Sequence, residues 1–257
     1  EPLLELMNFT INKFRDAAGR RLSSLECHDI MCKIGDVVVV GGVRRSALIS
    51  LSDLSNREMA HAKSGKWWEH SKHRQLANNS VCYTEKPDIG TFMKEWLSLY
   101  DSKSGERGIF NRESARMKVL ENGRREPDHE FGCNPCSEII LRPYQFCNLS
   151  EVVVRPNDTL EDLKTKVRLA TTLGTFQSTL TNFKYLRRVW KKNTEEERLL
   201  GVSLTGIMDH YLLSKTEDAT RWLSEMKREA IDQNGYIAQK IGIPKSAAIT
   251  CVKPSGT

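Results

Sequence analysis

At the start of the chain apolar residues recur at intervals of three and four. Leu3, Leu4, Met7, Phe9, Ile11 and Phe14 form one set, and Leu22, Leu25, Ile30, Met31 and Ile34 a second; this period predicts two helices. From Asp36 to Ser52, DVVVVGGVRRSALISLS, apolar and β-branched residues run on either side of Gly41 and Gly42, which predicts two strands broken by a turn. The helical period returns over 87–100, with Phe92, Trp96 and Leu99 on one face. The polar run 121–130, ENGRREPDHE, predicts a surface loop.

The second half alternates in the same way. EVVVRP at 151–156 predicts a strand, and Asp158 and Thr159 then cap a helix from about Leu160 to Lys184, with Glu161 and Asp162 in its first turn. The charged stretch LRRVWKKNTEEER reads as a solvated connector, and LLGVSLTGIMDHYLL at 199–213 as a buried, glycine-containing turn between packed elements. An amphipathic helix from about Thr216 to Ile241 stops at Gly242 and Pro244. AAITCVKPSGT reads as a strand entering a Pro-Ser-Gly-Thr turn. Helices and strands interleave throughout, the pattern of an α/β fold.

Composition narrows the class. The 257 residues are 39% hydrophobic, enough for a core, and no run of about 18 apolar residues is present to cross a bilayer. EPLLELMNFT has neither an initiator Met nor a basic-then-apolar leader, and CVKPSGT stops at a motif; both ends look cut, as expected of an internal piece of a longer protein. Seven cysteines without a secretory signal predict a reducing, cytoplasmic setting. The net charge of +6 suits anionic ligands. Because the basic residues are interleaved with acids, it predicts a solvated surface and no direct nucleic-acid binding.

The chemistry concentrates between Phe131 and Ser150, FGCNPCSEIILRPYQFCNLS, which holds Cys133, Cys136 and Cys147. Pro135 forbids a helix start and extends Asn134. Residues two apart in an extended segment share a side, so an amide (Asn134), a thiol (Cys136) and a carboxylate (Glu138) are expected together. Cys147 lies eleven residues beyond Cys136, after a stretch able to return as a hairpin. Three other readings apply to these cysteines. Cys133 and Cys136 form a C-x-x-C pair that could bind zinc with His129 and Cys147, although the ligand set is incomplete. A thioredoxin-like pair is opposed by Glu138, which disfavours a thiolate. Buried structural cysteine is the third, and it is the expected role of Cys27 and Cys32.

Other stretches also carry polar chemistry. The glycine pair followed by Arg44 and Arg45 offers forked donors for phosphate or base edges, or else a plain glycine-rich hairpin with exposed arginines. WWEHSKHRQLANNS at 67–80 places His70 and His73 three apart; with no carboxylate to complete a metal site, a solvated basic helix is expected. The terminal turn exposes backbone N–H groups and two hydroxyls, suitable for phosphate, and is also compatible with an ordinary turn.

The string NPCSEI followed by FCNLSE resembles the active-site segment of the ribonucleotide reductase large chain, and most closely that of the adenosylcobalamin-dependent class II enzymes. The resemblance implies that Cys136 is the thiyl radical site, Glu138 the carboxylate taking the substrate 3′-hydroxyl proton, and Asn134 the amide holding the ribose hydroxyls. Pro135 and Ser137 would join them against substrate, and Cys147 would be the later member of the reducing pair. VVGGVRRSALI resembles the loop that relays effector identity, which implies that Gly41, Gly42, Val43, Arg44, Arg45 and Ser46 form the specificity loop, with Arg44 touching the base. Pro254, Ser255, Gly256 and Thr257 resemble the substrate phosphate loop. ANNS, GERGIFNRES and residues 199–213 also resemble the family.

The implied architecture is one fragment, 1–257, of a ten-stranded α/β barrel with an internal finger loop. Its Cys136 sulfur would face a closed pocket near the terminal turn. The first reducing cysteine would lie upstream of Glu1, since none of Cys27, Cys32 or Cys82 sits where it belongs, and the fragment alone would be inactive. The implied cofactor is adenosylcobalamin, with no site locatable in this segment. The implied partners are a ribonucleoside di- or triphosphate, a deoxynucleotide effector and a thioredoxin-like reductant.

Overall fold

A computed structural model describes residues 1–40, 43–44, 46–103, 105–215 and 217–255. The chain divides into two compact units, Glu1–Ala115 and Arg116–Thr257. No described helix is long and apolar enough to cross a membrane.

The first unit opens with the two expected helices, α1 (Pro2–Asp16) and α2 (Ser24–Asp36). Ser23 starts α2 with a reciprocal cap: its hydroxyl accepts from the Glu26 N–H at 3.3 Å, and Glu26 accepts from the Ser23 N–H at 2.8 Å. Strands β1 (Val39–Val40) and β2 (Val43–Arg44) pair antiparallel across the glycine pair. Three parallel strands follow in the order β3 (Leu48–Ser52), β4 (Ala77–Tyr83), β5 (Gly108–Asn111). The expected helix appears as Ile89–Ser102, capped by Asp88, whose carboxylate accepts from the Thr91 N–H.

The stretch 67–80 differs from expectation. It forms a four-residue helix (Trp67–His70), a 3-10 turn (Lys72–Leu76) and then the largely buried strand β4. Tertiary charge contacts explain the difference. Arg74 grips buried Asp29 through Nε at 2.5 Å and Nη2 at 2.9 Å, Lys13 donates to it at 3.0 Å, and His73 Nε2 lies 3.0 Å from the same carboxylate. One carboxylate therefore ties α1, α2 and the 3-10 turn together. Burial opposes its charge, yet the bonds from His73, Arg74 and Lys13 outweigh that and hold the carboxyl well below the usual range.

In the second unit a short hairpin, β6 (Gly132–Cys133) with β7 (Ile140–Leu141), precedes the parallel pair β8 (Asn148–Val153) and β9 (Leu200–Thr205). The segment 248–251 runs along the other edge of β9: Leu200 N–H donates to Ala248 O, Val202 N–H to Ile249 O, and Cys251 N–H to Val202 O. Helices Leu160–Gln177 and Asp218–Ile241 cover one face of these strands. That core joins Val152, Val154 and Leu163 to Leu200, Val202, Trp222 and Met226. Thr159 caps the first of the two helices as expected, and Gly242 ends the second with φ 71°.

Three boundaries differ from the sequence reading. The first helix stops at Gln177 instead of Lys184. The supposed solvated connector is a helix, Arg188–Glu197, whose Glu197 is buried against Arg125 at 2.9 Å. Residues 199–213 contain a full strand, β9, before the turn at Gly206; pairing on both edges overrides the glycine signal. The structure is mixed α/β, with the described strands distributed over four sheets.

The first unit's stability should depend on pH through His28, which is 7% exposed with Nε2 3.5 Å from Cys32 Sγ. Burial pushes this imidazole down to about 4, with Asp29 acting against the shift and Arg74 with it. Between its ordinary value of 6.5 and about 4, the unfolded chain binds a proton that the folded chain refuses, so stability falls as pH drops through that window. The loss is on the order of 3 kcal/mol. Asp29, held low, keeps its contribution until the pH falls below its ordinary 3.8. Thermal unfolding measured across this range should show the slope, and His28→Gln should flatten it; an unaltered slope in the variant would contradict the assignment.

Candidate active site

The hairpin loop is held shut by one residue. Asn134 donates its N–H to Ile139 O at 3.3 Å, accepts from the Ser137 N–H at 2.9 Å through its carbonyl, and accepts from the Ile139 N–H at 3.0 Å through Oδ1. Pro135 and Cys136 form the turn, and Ser137 takes a left-handed φ of 65°. The chain thus reverses within residues expected to be extended, and the Asn134 carboxamide oxygen closes the loop in addition to any role toward a ligand. Cys133 is half-buried, and its thiol donates to Ser137 Oγ at 3.5 Å.

Cys136 is exposed at the loop tip, against the expectation of a closed pocket. The Asn134–Ile139 closure at the base makes Cys136 the tip of the loop. Glu138 behaves differently. It is half-buried, and its Oε2 is shut away from solvent without a hydrogen-bond partner. Such an oxygen carries a desolvation cost of about 1–3 kcal/mol or more unless something donates to it.

Around that carboxylate lie two thiols. Burial and then Glu138 push the half-buried Cys147 thiol up. Burial, Glu138 and Cys147 together push Cys251 up to about 11. Both are therefore protonated near neutrality. Cys147 and Cys251 pack with Ile139, Leu141, Leu149 and Leu199 in one small apolar cluster. Gly201 makes this possible, because a Cβ there would lie 2.3 Å from Leu149 Cδ2, 3.0 Å from Ile139 Cδ1 and 3.1 Å from Cys251 Sγ.

The described part of the terminal segment, 251–255, is anchored to β9. Lys253 N–H donates to Ser203 Oγ at 3.0 Å, and the hydroxyls of Thr205 and Ser255 share a hydrogen bond at 2.5 Å. Pro254 is exposed; Gly256 and Thr257 lie outside the described residues. In the first unit Val43 and Arg44 form β2, and Ser46 donates to Gly35 O at 2.5 Å. Gly41, Gly42 and Arg45 also lie outside the described residues.

Of the residues singled out in the sequence, Asn134, Cys136, Glu138 and Cys147 lie on or beside the hairpin loop, where Cys251 and Gly201, not singled out, pack with Cys147; Ser203 and Thr205, also not singled out, contact Lys253 and Ser255. Only their alternation along two strands could have signalled them. The zinc alternative is not assembled: among the described residues no three His, Cys, Asp or Glu side chains are grouped to hold a metal, and His129 instead lies beside Arg142 and Phe131.

Comparison with known proteins gives a consistent family. No family model matches the chain. It is 33% identical over 245 residues to the adenosylcobalamin-dependent ribonucleoside-triphosphate reductase of Lacticaseibacillus paracasei, covering 93% of this chain and 31% of that protein. Against the enzyme of the same name from Lactobacillus gasseri the identity is 29%, over the whole chain and 37% of the relative. A probable enzyme of this kind from Dictyostelium discoideum is 26% identical over the whole chain and 33% of its own length. The chain thus spans about a third of the length of the curated relatives it matches. A crystal structure of a B12-dependent (class II) ribonucleotide reductase superposes on 99% of this chain, and on 38% of its own, with a TM-score of 0.74 at 22% identity; the fold is shared.

Gly201→Ala should expose how tightly the cluster is packed. Its methyl would have to displace Leu149, Ile139 and Cys251, for a loss of about 1–3 kcal/mol in denaturant unfolding, with faster alkylation of Cys251. Wild-type stability together with unchanged thiol reactivity would contradict the packing described.

Proposed function

The chain belongs to the ribonucleotide reductase family, and on that premise we propose that it is part of a catalytic chain that reduces ribonucleotides to 2′-deoxyribonucleotides by a thiyl-radical route. The observation that carries the reading is the partnerless, desolvated Oε2 of Glu138 beside two protonated thiols. It lies at the base of the loop that presents Cys136 and in the same unit as the anchored terminal turn.

Each group has a task in that reaction. Sulfur suits the hydrogen-abstracting position, because an S–H bond is comparable in strength with the ribose C–H bond it replaces and the radical can be regenerated. Glu138 takes the 3′-hydroxyl proton; a carboxylate oxygen with no internal partner is free to accept it. The 2′-hydroxyl leaves as water once a thiol gives it a proton. Cys147, kept protonated by burial and by Glu138, is the thiol in this chain assigned that role. The balance is one ribonucleotide and one dithiol giving one deoxyribonucleotide, water and a disulfide, the sulfur pair supplying two electrons. The second sulfur is assigned to the longer chain, so this segment alone is inactive. Asn134 holds the loop and offers its amide N–H groups to the ribose hydroxyls.

Adenosylcobalamin, part of the relatives' names, is the proposed cofactor. Exposed Cys136 fits a radical source held outside this segment, and no described residue is assigned to holding it. Its chemistry, when bound, is to supply the initiating organic radical. By the relatives' names the substrate is a ribonucleoside triphosphate, with Pro254 and Ser255 at its phosphates. Arg44 and its neighbours read the base under a deoxynucleotide effector, and a thioredoxin-like protein restores the dithiol. The fold proposed for the full catalytic chain is a ten-stranded α/β barrel.

In the full catalytic chain, Cys136→Ser should lower deoxynucleotide formation by more than about a thousandfold; sustained product would sink the assignment. Cys147→Ser should stop repeated turnover when the only reductant is a thioredoxin-like protein. Undiminished multiple turnover in that variant would remove Cys147 from the mechanism.

A further inference from the structure

Residues two apart on a strand face the same way, so Ser203 and Thr205 stand on one side of β9. On that edge the backbone ladder reaches as far as the bond from Cys251 N–H to Val202 O. Beyond it, side chains take over. Ser203 Oγ accepts from the Lys253 N–H at 3.0 Å, and the Thr205 and Ser255 hydroxyls meet at 2.5 Å. The pairs 203/205 and 253/255 keep the period of two but lie two residues out of the ladder register set by Val202 and Thr250, so side-chain hydroxyls hold a segment that the backbone ladder no longer holds. The cause lies in the sequence. Pro254 has no N–H to give to a ladder, and the residues on either side of it are held to β9 through side chains instead.

We infer that Ser203 and Thr205 are positioning residues for residues 253–255, holding this segment against β9 and so setting affinity for the phosphates of the nucleotide without taking part in bond breaking. The inference rests on the proposed reductase reading, and it adds two residues that the resemblance did not assign. Ser203 is 3% exposed, and its oxygen is taken by the Lys253 N–H. It acts through the turn and not on a ligand. Thr205 clamps the Ser255 hydroxyl, orienting that group and the backbone that carries it.

The test uses the full catalytic chain. Thr205→Val keeps shape and loses the hydroxyl; Thr205→Ser keeps the hydroxyl and loses the methyl. Losing one buried or clamped hydrogen bond should raise KM for the ribonucleotide about tenfold in Thr205→Val and in Ser203→Ala, with kcat changed by less than about threefold. Inhibition by inorganic tripolyphosphate should weaken in parallel, and Thr205→Ser should stay within about twofold of the parent. Amide hydrogen exchange at Lys253, followed in Ser203→Ala, should quicken about tenfold whatever the activity. Unchanged KM in both hydroxyl-less variants, a fall in kcat at constant KM, or unchanged exchange at Lys253 would each overturn the inference. A parent chain that forms no deoxynucleotide would overturn the reductase reading instead, and the exchange measurement separates the two failures.

Discussion

Strand β9 is hydrogen-bonded along both edges, to β8 and to 248–251, and the second unit is arranged around that constraint. Over residues 200–202 the strand is paired on both sides, so its backbone is engaged there and its two faces can be given different work. Leu200 and Val202 point into the helical core. Gly201, Ser203 and Thr205 take the other face, where the hairpin loop and the terminal turn meet them. The absent side chain at Gly201 sets how closely Leu149, Ile139 and Cys251 approach. One strand therefore supplies rigidity on one side and the floor of the candidate site on the other.

The buried carboxylates show how the chain separates support from chemistry. Asp29 is surrounded by Lys13, His73 and Arg74; Glu95 is held by the Arg107 fork at 2.6 and 2.9 Å; Glu197 meets Arg125 and Gln145. Each is satisfied, as buried charge requires if it is to persist. Among the described residues, Glu138 Oε2 is the single buried carboxylate oxygen without a partner. A fold that pairs its other buried acids with cations and leaves this one open tolerates a local cost beside its thiols, the usual mark of a group meant to meet something that arrives from outside.

Much of this was legible in the sequence. Apolar periodicity gave α1, α2 and the helices beginning near Ile89, Leu160 and Asp218, and Thr159 marked its cap. The loop from Asn134 to Glu138 could be named because proline and the spacing of three reactive side chains are local signals. What escaped was decided by distant partners. The stretch 67–80 looked solvated because its cations were visible and Asp29, some forty residues earlier, was not an obvious mate. The connector 186–198 hid a helix whose buried acid is balanced by Arg125. Ser203 and Thr205 are ordinary strand residues until the returning chain is laid beside them. The exposed position of Cys136 follows from the Asn134 latch, a contact that alternation alone could not foretell.

Pro254 has one more effect. Among the described residues the 248–251 segment pairs with β9 alone, and a strand edge with unengaged amides is a template on which further backbone can add. Pro254, three residues past Cys251, removes a donor from the continuing row. The residue that shapes the ligand-facing turn thereby also blunts a sticky edge, so replacing it would invite self-association as well as disturb the turn.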